Sequence, residues 1–203
     1  MTSIAENLER VREQIAHAAA KVRRAPNEVE LVAITKTHAA EKAREAIQAG
    51  QRLFGESRVQ EARAKIVDSL ALAQEMNRIA EEEGMRPRVL LEINVAGEGS
   101  KFGFAPDKLR EQMEALLALP RLSVLGLMTI PPLGEEPEAS RKYFVQLREL
   151  RDRLQTEFRV DLAQLSMGMT QDYAVAVEEG ATLVRVGTAI FGERSKAKAE
   201  SHR

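Results

Sequence analysis

Apolar positions along this chain recur with two alternating periods. In the first segment Ile4, Leu8, Val11 and Ile15 repeat at helical spacing and mark one face of an amphipathic helix. Ser3, with Glu6 three residues later, is a capping-box pattern that starts this helix, which fades at Arg23-Arg24 ahead of Pro26. The period then shortens. Residues 29–35 form a continuous, β-branched run ending at Lys36, the pattern of a buried strand. A helix is predicted over 39–49 with Gly50 as its stop, then a strand over 52–55 and a polar helix start over 57–65. Residues 66–68 fit either period. Beyond them the spacing predicts helices over 69–83, 106–119, 138–158 and 172–179. Strands are predicted over 88–95, 123–130, 162–167 and 182–188, with Pro131-Pro132 stopping the second of these. A charged tail over 193–203 closes the pattern.

Strands that alternate with helices predict parallel β-α units, either as an open doubly wound sheet or as a closed barrel. The first βα turn lacks G-x-G-x-x-G, which weighs against a dinucleotide-binding sheet. No Pro-, Gly- or Ser-rich linker divides the chain, so residues 1–203 are expected to form one domain. A TIM-barrel-like (β/α)8 architecture is favoured, because the chemically unusual residues sit at strand C-terminal ends, where barrel active sites lie.

Composition narrows the function. The chain has 44% hydrophobic residues, enough for a sizeable core, and a formal charge of −1, which gives no electrostatic reason to expect nucleic acid or an anionic membrane as a partner. It has no Cys, which removes disulfide and thiolate chemistry. No basic-then-apolar start and no apolar run of spanning length is present, so a cytoplasmic location is expected. His17, His38 and His202 are scattered and no ligand-spaced set accompanies them, so no metal site is expected.

The candidate chemistry gathers at strand ends. Lys36 is either solvated at a barrel rim or held inside the mouth. Held inside, it is an amine able to condense with carbonyls, including the aldehyde of pyridoxal 5'-phosphate (PLP). The run Leu165-Ser166-Met167-Gly168-Met169-Thr170 and the pair Gly187-Thr188 put glycines and hydroxyls after the last two strands, where barrels often bind phosphate. Either run alone is also ordinary turn chemistry. Arg185 lies between Val184 and Val186 and points either outward to a helix carboxylate or inward beside the phosphate turns. Inward, it would face a pyridine nitrogen and disfavour its protonation, leaving a weak electron sink. The Gly-rich stretch 94–104 is a lid or a plain connection.

The ordered set of motifs carries a resemblance. A-I-T-K ends at Lys36, and F-G-E-S-R-V-Q-E runs from Phe54 to Glu61. N-V-A-G-E-G-S-K-F-G-F starts at Asn94, G-L-M-T-I-P-P at Gly126, L-S-M-G-M-T at Leu165 and R-V-G-T-A-I-F-G-E-R at Arg185. Together they resemble the pyridoxal phosphate homeostasis protein family, relatives of the alanine racemase N-terminal-domain barrel. The resemblance implies PLP as cofactor, held as a Schiff base on Lys36. Phosphate contacts are implied for Ser166, Gly168, Thr170, Gly187 and Thr188, a ring contact for Arg185, and a cofactor contact for Met167 and Ser57. It further implies intracellular PLP storage, delivery or buffering without a catalytic reaction, apo forms of PLP-dependent enzymes as recipients, and a monomer. A racemase-like PLP enzyme and a cofactor-free Schiff-base aldolase are the alternatives. Two departures stand out. The family reads G-E-N where this chain reads Gly55-Glu56-Ser57, and Ser is shorter than Asn. A W-H-x-I-G-x-L-Q strand and its helix are also absent, so about one βα unit is missing after Lys65.

Overall fold

The computed structural model describes residues 2–36, 38–55, 60–61, 64–97, 102–132, 134 and 136–193, with the backbone alone at 60 and 61. The chain opens with α1 (Ile4–Lys21), and its capping box forms: Ser3 N–H donates to Glu6 Oε2 at 2.8 Å and Glu6 N–H to Ser3 Oγ at 3.1 Å. Then follow β1 (Glu30–Ile34), α2 (Ala40–Gln48), β2 (Phe54–Gly55), β3 (Gln60–Glu61), β4 (Ala64–Val67), α3 (Leu70–Glu82) and β5 (Arg88–Glu92). The second half runs α4 (Pro106–Leu117), β6 (Ser123–Met128), α5 (Arg141–Phe158), β7 (Gln164–Ser166), α6 (Tyr173–Glu178), β8 (Leu183–Val186) and α7 (Thr188–Phe191).

The strands form one sheet in the order β2-β1-β8-β7-β6-β5-β4-β3. Every described pairing is parallel except β3 with β4. Alternation along each strand separates two apolar layers. Leu31, Ala33, Leu91, Leu127, Leu165, Met167 and Val184 face the helices, where α1, α4 and α5 bury Leu8, Leu109 and Phe144 among them. The residues between them, Val32, Ile66, Leu90, Met128 and Leu183, form a second core on the other face. That core joins β1 to β4, which are far apart in the sheet order, so the sheet curls until its inner face packs on itself.

Two expectations are corrected. Residues 57–65 do not open a helix where they are described: Gln60–Glu61 and Ala64–Val67 are strands, and Lys65 pairs with Val89. The β-branched pair Ile66-Val67 gains a hydrogen-bonded neighbour in β5, and that tertiary pairing decides an ambiguous period. Among the described residues seven parallel strands stand where a full barrel has eight, as expected for a chain short of about one βα unit. Finally, the last strand stops at Val186, and Thr188 opens the short helix α7 instead of ending the strand. The tail from 194 onward lies outside the described residues.

Candidate functional site

The site begins with neighbouring strands. β1 and β8 pair in register, with Ala33 opposite Val186, so the residues just beyond both strands emerge at the same end of the sheet. Lys36 lies two residues past β1, in step with the inward-facing Val32 and Ile34, and is half-buried. Arg185 takes the inward alternative. It lies between the outward Val184 and Val186, is 8% exposed, and reaches along the inner face. Its Nη1 donates to Ser166 Oγ at 2.7 Å and its Nη2 to the Thr129 carbonyl at 3.1 Å. Ser166 and Thr129 are both fully buried, and Thr129 Oγ1 donates in turn to the Ile93 carbonyl at 2.8 Å. One guanidinium is thereby fixed by β6 and β7 while its stem rises from β8. Such a chain of bonds leaves a buried cation little freedom to change its aim.

Two turns close over this end. The first runs from Gly168 to Asp172. Gly168 has φ +92°, and a Cβ there would stand 2.5 Å from the Ala176 methyl and 2.9 Å from Tyr173 Cα, so only glycine lets the turn sit against α6. The buried Asp172 accepts from Met169 N–H at 2.7 Å and holds the turn's shape. The second turn is Gly187 leading into α7, whose Ile190 and Phe191 N–H groups donate back to the Gly187 carbonyl at 2.9 Å. The first amides of any helix lack acceptors within it, so this turn presents donors together with the exposed Thr188 hydroxyl. Thr170 is half-buried in the first turn.

Helix α6 carries the first turn and is clamped from its far end. Arg24 donates to the Val177 and Ala181 carbonyls at 2.8 and 2.9 Å. Arg141 bridges Glu178 at 2.7 Å and Glu179 at 2.6 Å, and Arg148 meets Glu179 at 2.5 Å. Hydrogen bonds from Arg141 and then Lys21 hold the Glu178 carboxyl below its usual range, against the opposing effect of burial. At the other end, burial pushes the Tyr173 phenol up, and its O–H donates to Gln14 Oε1.

The residues expected from the sequence divide into three groups. Lys36, Ser166, Gly168, Thr170, Arg185, Gly187 and Thr188 gather at the C-terminal end of β1, β8 and β7. Met167 turns its side chain into the layer under the helices. Ser57 lies outside the described residues, as do positions 98–101 of the Gly-rich stretch. The ends of that stretch fold back on β5, where Phe104 N–H donates to the Glu92 carbonyl at 2.8 Å. Thr129 and Asp172 are site residues that the pattern reading missed. The available signal for Thr129 was a polar residue ending an apolar strand inside G-L-M-T-I-P-P. A cleft of about 400 Å3 opens near Arg12, Asn27 and Arg52, at the opposite end of β1, and both arginines there are bonded to backbone carbonyls. Among the described residues no His, Asp or Glu cluster is arranged to hold a metal. No helix is long and apolar enough to cross a membrane among them.

Comparisons with known proteins place the fold and the family. The model of the alanine racemase N-terminal domain matches residues 64–195. A pyridoxal phosphate homeostasis protein of Aquifex aeolicus (strain VF5) is 41% identical, over 93% of this chain and 97% of its own length. That alignment runs over 222 positions, more than the 203 residues here, so the relative carries a segment with no counterpart in this chain. Among solved structures, a protein described as unknown from Bifidobacterium adolescentis superposes with a TM-score of 0.82 at 31% identity, covering 93% of this chain and 94% of that one. PipY of Synechococcus elongatus PCC7942, solved with PLP bound, has a TM-score of 0.73 at 34% identity, covering 88% of this chain and all (100%) of that one. With the Lys36 strand end, the buried Arg185 and the two glycine turns in place, this chain belongs to the pyridoxal phosphate homeostasis protein family, on the fold of the alanine racemase N-terminal domain.

Proposed function

We propose that this chain binds PLP through Lys36 and serves intracellular PLP homeostasis by holding the cofactor and handing it on. The observation that carries this reading is the placement of a half-buried amine, a buried guanidinium and two glycine turns at one end of three adjacent strands. These residues fit the cofactor group by group. PLP supplies an aldehyde that condenses with a primary amine with loss of water, and Lys36 supplies the amine. Ser166, Gly168, Thr170, Gly187 and Thr188 offer hydroxyl and backbone donors for a phosphate, with the Met167 backbone alongside. Arg185, fixed by Ser166 and Thr129, would supply the cation beside the ring nitrogen. A cation there keeps that nitrogen unprotonated and the ring a poor electron sink, which suits a carrier better than an enzyme of carbanion chemistry.

On this reading residues 1–203 act as one cytoplasmic, monomeric domain, catalyse no reaction of their own, and pass PLP to apo forms of PLP-dependent enzymes. The test is spectroscopic. Purified chain mixed with PLP is expected to gain a visible absorption band that borohydride abolishes, with the reduced cofactor mapped by mass spectrometry to the peptide containing Lys36. Lys36→Ala is expected to lose the band. A Lys36→Ala protein that keeps it at full intensity overturns the assignment.

A further inference from the structure

We propose that Lys42, acting through the backbone of α7, is a positioning residue that sets the preference of this site for the phosphorylated cofactor. The inference rests on the PLP-binding reading above. Helix α7 is a single turn of four residues, Thr188–Phe191, directly after Gly187. So short a helix has no stability of its own, and its position depends on what grips it from outside. Its last carbonyls are orphaned by helix geometry and are taken by two other elements. Asn7 of α1 donates from Nδ2 to the Ile190 carbonyl at 3.0 Å. Lys42, in the first turn of α2, donates from Nζ to the Phe191 carbonyl at 2.6 Å.

The same Phe191 meets the Lys36 segment a second time. Its ring lies 5.2 Å from the His38 ring, at an interplanar angle of 37°. His38 in turn closes the turn after β1 by donating its N–H to the Thr35 carbonyl at 2.9 Å. Phe191 is thus held by ring and carbonyl to two residues that flank α2's start, within six positions of Lys36. The amine and the Gly187-Thr188 turn are two ends of one braced unit. On the reading above, the phosphate is the group of a Lys36-joined cofactor that would meet the donors of that turn. Loosening α7 would then weaken the phosphate contact more than the contacts with ring and amine.

The experiment compares PLP with pyridoxal, which lacks the phosphate, by titrating wild type, Lys42→Met and Lys42→Arg and following the Lys36-dependent visible band. Circular dichroism first establishes that each apo protein is folded. Losing a charge-assisted bond is expected to lower the PLP-to-pyridoxal affinity ratio about tenfold in Lys42→Met. Lys42→Arg keeps a cationic donor and is expected to restore most of the ratio. His38→Ala, which removes the ring contact with Phe191, is the second variant and is expected to lower the ratio in the same direction, and it decides whether the bracing of α7 sets the ratio if Lys42→Met does not fold. A fall of less than about threefold in the ratio, including an equal loss for both ligands, overturns the role of Lys42. A wild type with no Lys36-dependent band overturns the PLP reading itself, and is distinguishable on that ground.

Discussion

Gly126 offers a sharp test of how the sheet sets the site. It lies on β6 directly opposite Gln164 of β7. A methyl group on Gly126 would overlap the Gln164 carbonyl oxygen and stand 2.7 Å from its carbon and 2.9 Å from its Cα. Carbon atoms rest at about 3.5–4.0 Å, so one backbone must retreat by about 1 Å. β7 is three residues long and meets β6 through three paired positions, Gly126, Leu127 and Met128. A retreat of that size takes ladder bonds out of range. Overpacking costs about 1–3 kcal/mol and two weakened bonds about 1 kcal/mol each, while Ala returns about 0.4–1 kcal/mol by restricting the unfolded chain. The expected net loss for Gly126→Ala is about 2–4 kcal/mol, a large share of a typical domain's stability. Urea unfolding followed by far-UV circular dichroism is the suitable assay, since the chain has no Trp. Gly84→Ala is the control: Gly84 has φ +64° and a Cβ there would meet nothing within 4 Å, so only the backbone cost of about 1 kcal/mol applies. If Gly126→Ala costs no more than Gly84→Ala, β6 and β7 do not approach as closely as described. The variant also displaces Ser166, whose carbonyl accepts from Thr129 N–H and whose hydroxyl accepts from Arg185, so PLP affinity is expected to fall with stability.

Two further outcomes concern the clamp on α6. Glu178 is held below its usual value near 4.5 by Arg141 and Lys21. A depressed folded-state value means stability that is full above the unfolded value and lost as the pH falls through the folded one. Thermal midpoints of the wild type are therefore expected to drop as pH falls below about 4.5, more steeply than those of Glu178→Gln, and parallel curves would refute the coupling. Glu179→Gln leaves Arg141 and Arg148 facing each other without the carboxylate between them. A loss of about 2 kcal/mol in urea unfolding is expected, and a loss below about 0.5 kcal/mol would mean the pair behaves like an ordinary surface bridge.

The legible parts of the fold were those where one local signal sufficed. Ser3 and Glu6 cap α1 as their spacing requires, and Gly50 and Gly84 follow α2 and α3 with positive φ. The candidate site was legible to the extent that it sits on strand ends, since the apolar runs ending at Lys36 and containing Arg185 give its address. The direction of Arg185 was not legible, because alternation between Val184 and Val186 is the same whichever face is inside. It was decided by the buried oxygens of Ser166 and Thr129, which come from two other strands. Met167 shows the same limit from the other side: its motif neighbours face inward, and the period of two turns it outward. Strand β4 was illegible for a different reason. Four residues carry too little period, and β5 supplies the pairing that makes them a strand.

The shortened chain keeps the cofactor end because of where the shortage falls in the sheet. The order β2-β1-β8-β7-β6-β5-β4-β3 places the two ends of the sheet at β2 and β3. Every strand that carries a site residue therefore retains a hydrogen-bonded neighbour on both sides: β1 between β2 and β8, β8 between β1 and β7, β7 between β8 and β6, and β6 between β7 and β5. Register within that run fixes the heights of Lys36, Arg185, Ser166 and Thr129 relative to one another, and none of those heights depends on closure across the gap. A lost strand between β6 and β8 would have separated Arg185 from both of its acceptors. The two end strands of the sheet are two residues each, Phe54–Gly55 and Gln60–Glu61, with the second turned antiparallel against β4. Edges that short offer little backbone for another chain to pair with.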